Sequence, residues 1–188
     1  MEKLLGHPNT LTLFRVIAVP IIVILMLFPN RVCTFAAAIL FSAAAITDYL
    51  DGYIARTRGL ISNLGKVMDP VADKLMVVVA LVLLVEANPT PLIAIPSIII
   101  ISREILVSAL REWMAELGAR AAVKVSVVGK AKTVVQLVSI IFLIYNDSLF
   151  GIPLFELGIL LFYVAAFLTL YSMYIYLRAA WPVMIKHS

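Results

Sequence analysis

Charge is what this 188-residue sequence has least of: 14% of its residues are Asp, Glu, Lys or Arg, against 63% apolar. A soluble domain carries roughly 25% charged residues, so the sequence is read as that of an integral membrane protein. If each span takes about 20 apolar residues, the length holds about six spans with short connections and no separate soluble domain. A single cysteine, Cys33, excludes a disulfide framework and a thiolate metal site. Histidine is almost as scarce, and His7 and His187 lie near the termini, away from any span. No repeat or low-complexity run is present. The N-terminus also lacks the basic, apolar and small-residue succession of a cleaved leader, so the first apolar stretch is expected to be retained.

Six apolar windows stand out, at about 11–28, 34–55, 69–87, 91–112, 131–146 and 153–177. The expected fold is a single domain over 1–188, an all-α bundle of six transmembrane helices. Of the 15 Lys and Arg residues, Arg31 alone falls in the connections on one side, leaving 14 for the other side. Positive-inside bias then places both termini and the two longer connections in the cytoplasm. The net charge of +4 therefore reads as membrane orientation; no basic run interleaved with aromatics suggests nucleic acid. Ala36, Ala37, Ala38, Ser42, Ala43, Ala44 and Ala45 would let the second helix pack closely. Pro20, Pro96 and Pro153 are expected as tolerated kinks or first-turn residues, and Trp113 and Trp181 as interfacial aromatics.

With so few charges, their positions are informative. Asp48 and Asp51 end the second window on one helix face, about 60° apart, while Asp69 and Asp73 open the third, about 40° apart. Each carboxylate in a membrane helix costs roughly 3 kcal/mol, so four cost on the order of 10 kcal/mol unless compensated. Arg56 and Lys74 cannot neutralise them all. Oxygen-only donors favour Mg²⁺ or Mn²⁺, and four carboxylates can hold two such ions. A two-metal centre suits in-line phosphoryl transfer. Gly52, Ala55 and Gly65 leave room for a phosphate to approach the backbone, and Arg56 can pair with one.

Residues 48–73, DYLDGYIARTRGLISNLGKVMDPVAD, resemble the CDP-alcohol phosphotransferase signature D-x2-D-G-x2-A-R-x8-G-x3-D-x3-D without departure. The resemblance implies a six-span enzyme, usually a homodimer, that moves a phosphatidyl or related group from a CDP-linked donor to an alcohol and releases CMP. It implies Asp48, Asp51 and Asp69 as metal ligands and Asp73 as both ligand and general base. It also puts Gly52, Ala55 and Arg56 beside the cytidine diphosphate.

The segments ISREILVSALREWMAELG (101–118) and VVGKAKTVVQ (127–136), with the opening HPNTLTLFRVIAVP (7–20), resemble bacterial members that use sn-glycerol 3-phosphate as acceptor and CDP-diacylglycerol as donor. The acceptor's phosphate would then sit among Arg103, Arg111, Lys130 and Lys132. Asn9, Thr12 and Arg15 would help to close the donor region; a helix cap followed by a snorkelling arginine explains the same three residues. The implied location is the bacterial inner membrane, with membrane lipid around the bundle and the active site facing the cytoplasm. Two other readings remain: a sister enzyme accepting serine, inositol phosphate or phosphatidylglycerol, and a divalent-cation transporter using the same acids.

Overall fold

The computed structural model describes residues 8–28, 30–58, 63–118 and 127–187; side chains are described for 13–28, 30–47, 71, 72, 74–118, 129 and 131–185. Among the described residues six helices form: α1 (Pro8–Leu27), α2 (Arg31–Arg58), α3 (Asn63–Ala87), α4 (Pro91–Glu116), α5 (Val127–Tyr145) and α6 (Leu154–His187). Short polar signals set several of their ends. The Asn30 carboxamide oxygen accepts from the Cys33 backbone N–H at 2.9 Å, capping α2. Extended Thr90 precedes α4, whose first residue is Pro91, where no N–H is needed. Gly118, at φ +70°, and Asn146, at φ +51°, end α4 and α5 in the left-handed conformation that closes helices.

Between α5 and α6 a small hairpin pairs β1 (Ser148–Leu149) with β2 (Ile152–Pro153). Its two turn residues, Phe150 and Gly151, both have positive φ, matching the twist of a two-residue hairpin turn. Pro153 therefore sits in β2, not at the start of the helix as expected from its position.

Several boundaries also differ from the apolar windows. α3 begins at Asn63, so Asp69 and Asp73 lie inside the helix and do not open it, and α6 runs to His187 through Pro182. The cause is physical: an apolar window marks what a bilayer tolerates, while backbone hydrogen bonding continues a helix through polar sequence beyond it. Pro20 and Pro96 are accommodated within α1 and α4.

α5 and α6 share the most extensive contact; α1 packs on α2 and α3, α4 on α6, and α2 on α5. The main core joins Ala18 and Ile22 of α1, Ala37, Phe41 and Ala44 of α2, Leu81 and Leu84 of α3, Ile100 of α4, Ile140 of α5 and Phe162 of α6. Small residues permit these approaches. Ala37 and Ala44 are fully buried, and a Cβ on Gly158 would lie 3.1 Å from the Leu143 and Phe142 side chains.

The bundle is otherwise inside out. Ile98, Ile105, Leu106, Leu160, Phe167 and Leu177 are exposed, whereas Arg15, Arg103, Lys132 and Gln136 are buried. Among the described residues α4 and α6 are long and apolar enough to cross a membrane, and most of their side chains face outward. An apolar exterior around a polar interior is the arrangement that lipid solvent favours, and it points to association with a membrane.

Candidate functional site

Three helices bring polar side chains into one cluster, through Arg103, Glu104 and Arg111 of α4, Lys132 of α5 and Ser172 and Tyr176 of α6. On α4, Arg103 and Glu104 lie two turns before Arg111. On α5, Lys132, Gln136 and Ser139 fall at i, i+4 and i+7; on α6, Thr169, Ser172 and Tyr176 fall at i, i+3 and i+7. Each set shares a helix face, and the two helices that carry the last two sets make the closest pair in the bundle.

Glu104 is the hinge of the cluster. Its Oε1 accepts from Lys132 Nζ at 2.5 Å and from Arg103 Nη1 at 3.1 Å. The Lys132 and Arg103 side chains are 2% and 7% exposed, while that of Glu104 is 20% exposed. Arg103 Nη2 donates to Ser172 Oγ at 3.1 Å, and Ser172 Oγ donates onward to the Thr169 carbonyl at 2.9 Å. Arg111 Nη2 donates to Tyr176 Oη at 2.9 Å. Both guanidinium carbons lie over the Tyr176 ring, 5.7 Å from its centroid for Arg103 and 5.1 Å for Arg111. The ring's negative face attracts both cations and holds two like charges on one platform. Val107, Leu110, Met114 and Ala180 close a small apolar cluster around Tyr176.

The structure thus brings together the side chains of Arg103, Arg111 and Lys132. Lys130 is placed on α5 and its side chain lies outside the described residues. Glu104, Ser172 and Tyr176 are members that sequence reasoning missed. The available signal was the i, i+3, i+7 polar spacing on α6, hidden in a helix rich in tyrosine. Arg15 is fully buried, which a snorkelling arginine would not be.

The acidic residues are placed by backbone alone. Asp48, Asp51, Gly52, Ala55 and Arg56 lie on the final turns of α2, Gly65, Asp69 and Asp73 in the first half of α3, and Asn9 and Thr12 at the start of α1; their side chains lie outside the described residues. Among the described residues no three His, Cys, Asp or Glu side chains converge. As a donor set the four carboxylates fit hard divalent cations, being oxygen-only and carried by two helices that both pack on α1.

An all-helical bundle with an apolar exterior, an acidic signature on α2 and α3 and a buried basic cluster defines a class of membrane-associated group-transfer protein. Residues 5–177 match the CDP-alcohol phosphatidyltransferase family, and the chain belongs to it. Members of this family generally depend on a divalent metal ion. The chain is 46% identical over 173 residues to a CDP-diacylglycerol–glycerol-3-phosphate 3-phosphatidyltransferase of Escherichia coli (strain K12), covering 92% of this chain and 93% of that one. A protein of the same description from Shigella flexneri serotype 5b (strain 8401) matches with the same identity and coverage.

Proposed function

We propose that the chain transfers the phosphatidyl group of CDP-diacylglycerol to sn-glycerol 3-phosphate, forming phosphatidylglycerophosphate and releasing CMP. The observation that carries the choice of acceptor is the buried pair of cations Arg103 and Lys132, with the exposed Arg111 beside them on the Tyr176 ring. Burying cations costs several kcal/mol each, and a neutral alcohol gives no return on it. A phosphate monoester, carrying close to two negative charges at neutral pH, does. The similarity to glycerol-3-phosphate-dependent relatives points the same way.

In this reading Arg103, Arg111, Lys130 and Lys132 bind the acceptor's phosphate and so direct its primary hydroxyl toward the acids of α2 and α3. The Asp73 carboxylate takes the proton of that hydroxyl. The freed oxygen bonds to the phosphorus that carries diacylglycerol, in line with the breaking bond to CMP, which leaves with the electron pair. Arg56 pairs with the donor's pyrophosphate, and Gly52, Ala55 and Gly65 let it approach the helices; Asn9 and Thr12 border the nucleotide. Asp48, Asp51, Asp69 and Asp73 would hold two divalent cations, Mg²⁺ or Mn²⁺, which when bound supply charge stabilisation for the pyrophosphate and the departing CMP.

The same reading makes the six helices spans, with both termini and the active site on the cytoplasmic face of a bacterial inner membrane. It makes the chain one catalytic domain over 1–188, with the donor signature at 48–73 and the acceptor segment at 101–136, working as a homodimer. The inside-out burial and the one-sided distribution of bases support it. The test is CMP release by purified protein from CDP-diacylglycerol with glycerol 3-phosphate, serine, inositol phosphate or glycerol in turn. Turnover is expected with glycerol 3-phosphate alone, and CMP release indifferent to it would remove the proposal.

A further inference from the structure

Glu104 is the one feature of the basic cluster that an anion-binding role does not ask for. A carboxylate placed between Lys132 and Arg103 competes with any anion those bases would bind. It nevertheless receives the cluster's short contact with Lys132 and a second contact from Arg103. Three cations less one carboxylate leave the described cluster at a net charge of two, Arg103, Arg111 and Lys132 against Glu104. That is the charge a phosphate monoester dianion cancels.

The donors are not used up by this arrangement. Lys132 can give three hydrogen bonds. Arg103 Nε is buried and has no acceptor among the described residues, although its two terminal nitrogens are both engaged. A buried donor without an acceptor costs about 1–3 kcal/mol and marks a place for a missing water or ligand. Glu104 is also the most exposed of the three ion-paired side chains, at 20% against 2% and 7%. It is the member with space to withdraw.

We infer that Glu104 is a positioning residue that stands in for the acceptor's phosphate in the empty site, holding Lys132 and Arg103 in place until a phosphate dianion displaces its carboxylate from them. Without such a counter-ion, two like charges buried side by side in a protein interior would repel each other and turn outward. The ligand then meets a prearranged fork of donors, and its binding free energy is reduced by the displaced ion pair. The acceptor can therefore leave as readily as it enters, once its phosphate has become part of the lipid product.

This inference rests on the acceptor reading above, and its test uses inorganic phosphate, so that it can fail separately from the enzymatic assay. Full-length protein in detergent is titrated with inorganic phosphate, with chloride at equal ionic strength as the control, following melting temperature and apparent Kd. Glu104→Gln is expected to melt below the parent without phosphate, to bind phosphate about tenfold more tightly and to gain more melting temperature from it, because the ligand now supplies the missing charge. In turnover, KM for glycerol 3-phosphate falls by a similar factor. Phosphate binding that is unchanged or weaker in Glu104→Gln would overturn the inference, leaving Glu104 as a plain structural ion-pair partner. If that variant does not fold, Glu104→Asp keeps the charge but draws the carboxylate back by one methylene; about two- to threefold tighter phosphate binding is expected, and no tightening counts against the inference equally.

Discussion

The bundle has two interiors that obey opposite rules. One, shared by all six helices, is apolar and is filled by Phe41, Leu81, Leu84, Ile100, Ile140 and Phe162. The other, between α4, α5 and α6, buries Arg103, Lys132, Gln136, Thr169 and Ser172. In lipid the first gains little from hydrophobicity itself, because the outside is equally apolar, so shape and close approach hold it together. The second carries a standing desolvation cost of several kcal/mol per ion. A cost of that kind persists where a ligand makes use of the charge, which in the proposed function is the acceptor's phosphate. The first interior fixes where the helices run, and the second fixes what they can bind.

Substitutions should separate the two by what they change. The largest effect is expected from the proposed general base: Asp73→Asn should slow CMP release by about 10²–10⁴-fold, the range for removing such a base. Substantial turnover in that variant would exclude Asp73 as the base. Next comes Lys132→Ala, which removes a buried charged donor. KM for glycerol 3-phosphate should rise about thirtyfold or more, corresponding to roughly 2–5 kcal/mol, while the affinity for CDP-diacylglycerol stays the same. An unchanged KM would remove Lys132 from the acceptor pocket.

The two interiors also differed in how legible they were from sequence. Six apolar windows gave six helices, because Pro, Asn and charge interrupt apolar runs where chains turn: Asn30, Pro91 and Asn146 all sit at helix ends. The true start of α3 at Asn63 and the end of α6 at His187 were not visible, since nothing apolar marks a helix once it has left lipid. The hairpin at 148–153 was hidden because strands of two residues have no periodicity. In the candidate site, Arg103, Arg111 and Lys132 stood out as bases inside or beside apolar helices. Their partners did not. Glu104 reads as one acid beside an arginine, and nothing local says which of seven tyrosines turns inward; only the packing of α6 on α4 selects Tyr176.

The apolar interior should respond in stability and not in KM. Gly158 lies where α6 meets α5, and a Cβ there would sit 3.1 Å from the Leu143 Cγ and the Phe142 Cβ, with the Gly158 carbonyl already accepting from Ser139 Oγ at 2.9 Å. The neighbours are the branch points and stems of buried or half-buried side chains, so they cannot swing aside freely. Gly158→Ala is expected to cost about 1–3 kcal/mol, read as a fall of several degrees in melting temperature in detergent, with KM for both substrates unchanged. A shift in KM for glycerol 3-phosphate at constant stability would show that the two interiors are mechanically one.

The smallest effect belongs to an ion pair outside both interiors. Arg31 Nε meets Asp147 Oδ2 at 2.7 Å, with the two side chains 75% and 34% exposed, joining the start of α2 to the turn after α5. Its geometry is as short as that of the buried cluster, but water solvates both partners, so Arg31→Ala should cost only about 0.2–1 kcal/mol and less at high salt. Asp147 has a second task, since its Oδ1 accepts from the Ser148 backbone N–H at 2.7 Å where the hairpin begins. Asp147→Ala should therefore lower the melting temperature more than Arg31→Ala, and the excess should survive at high salt, where the ion pair itself is screened. Equal losses for the two variants at every salt concentration would mean that the pair acts only through its charge, and that the contrast with the buried cluster is one of solvation alone.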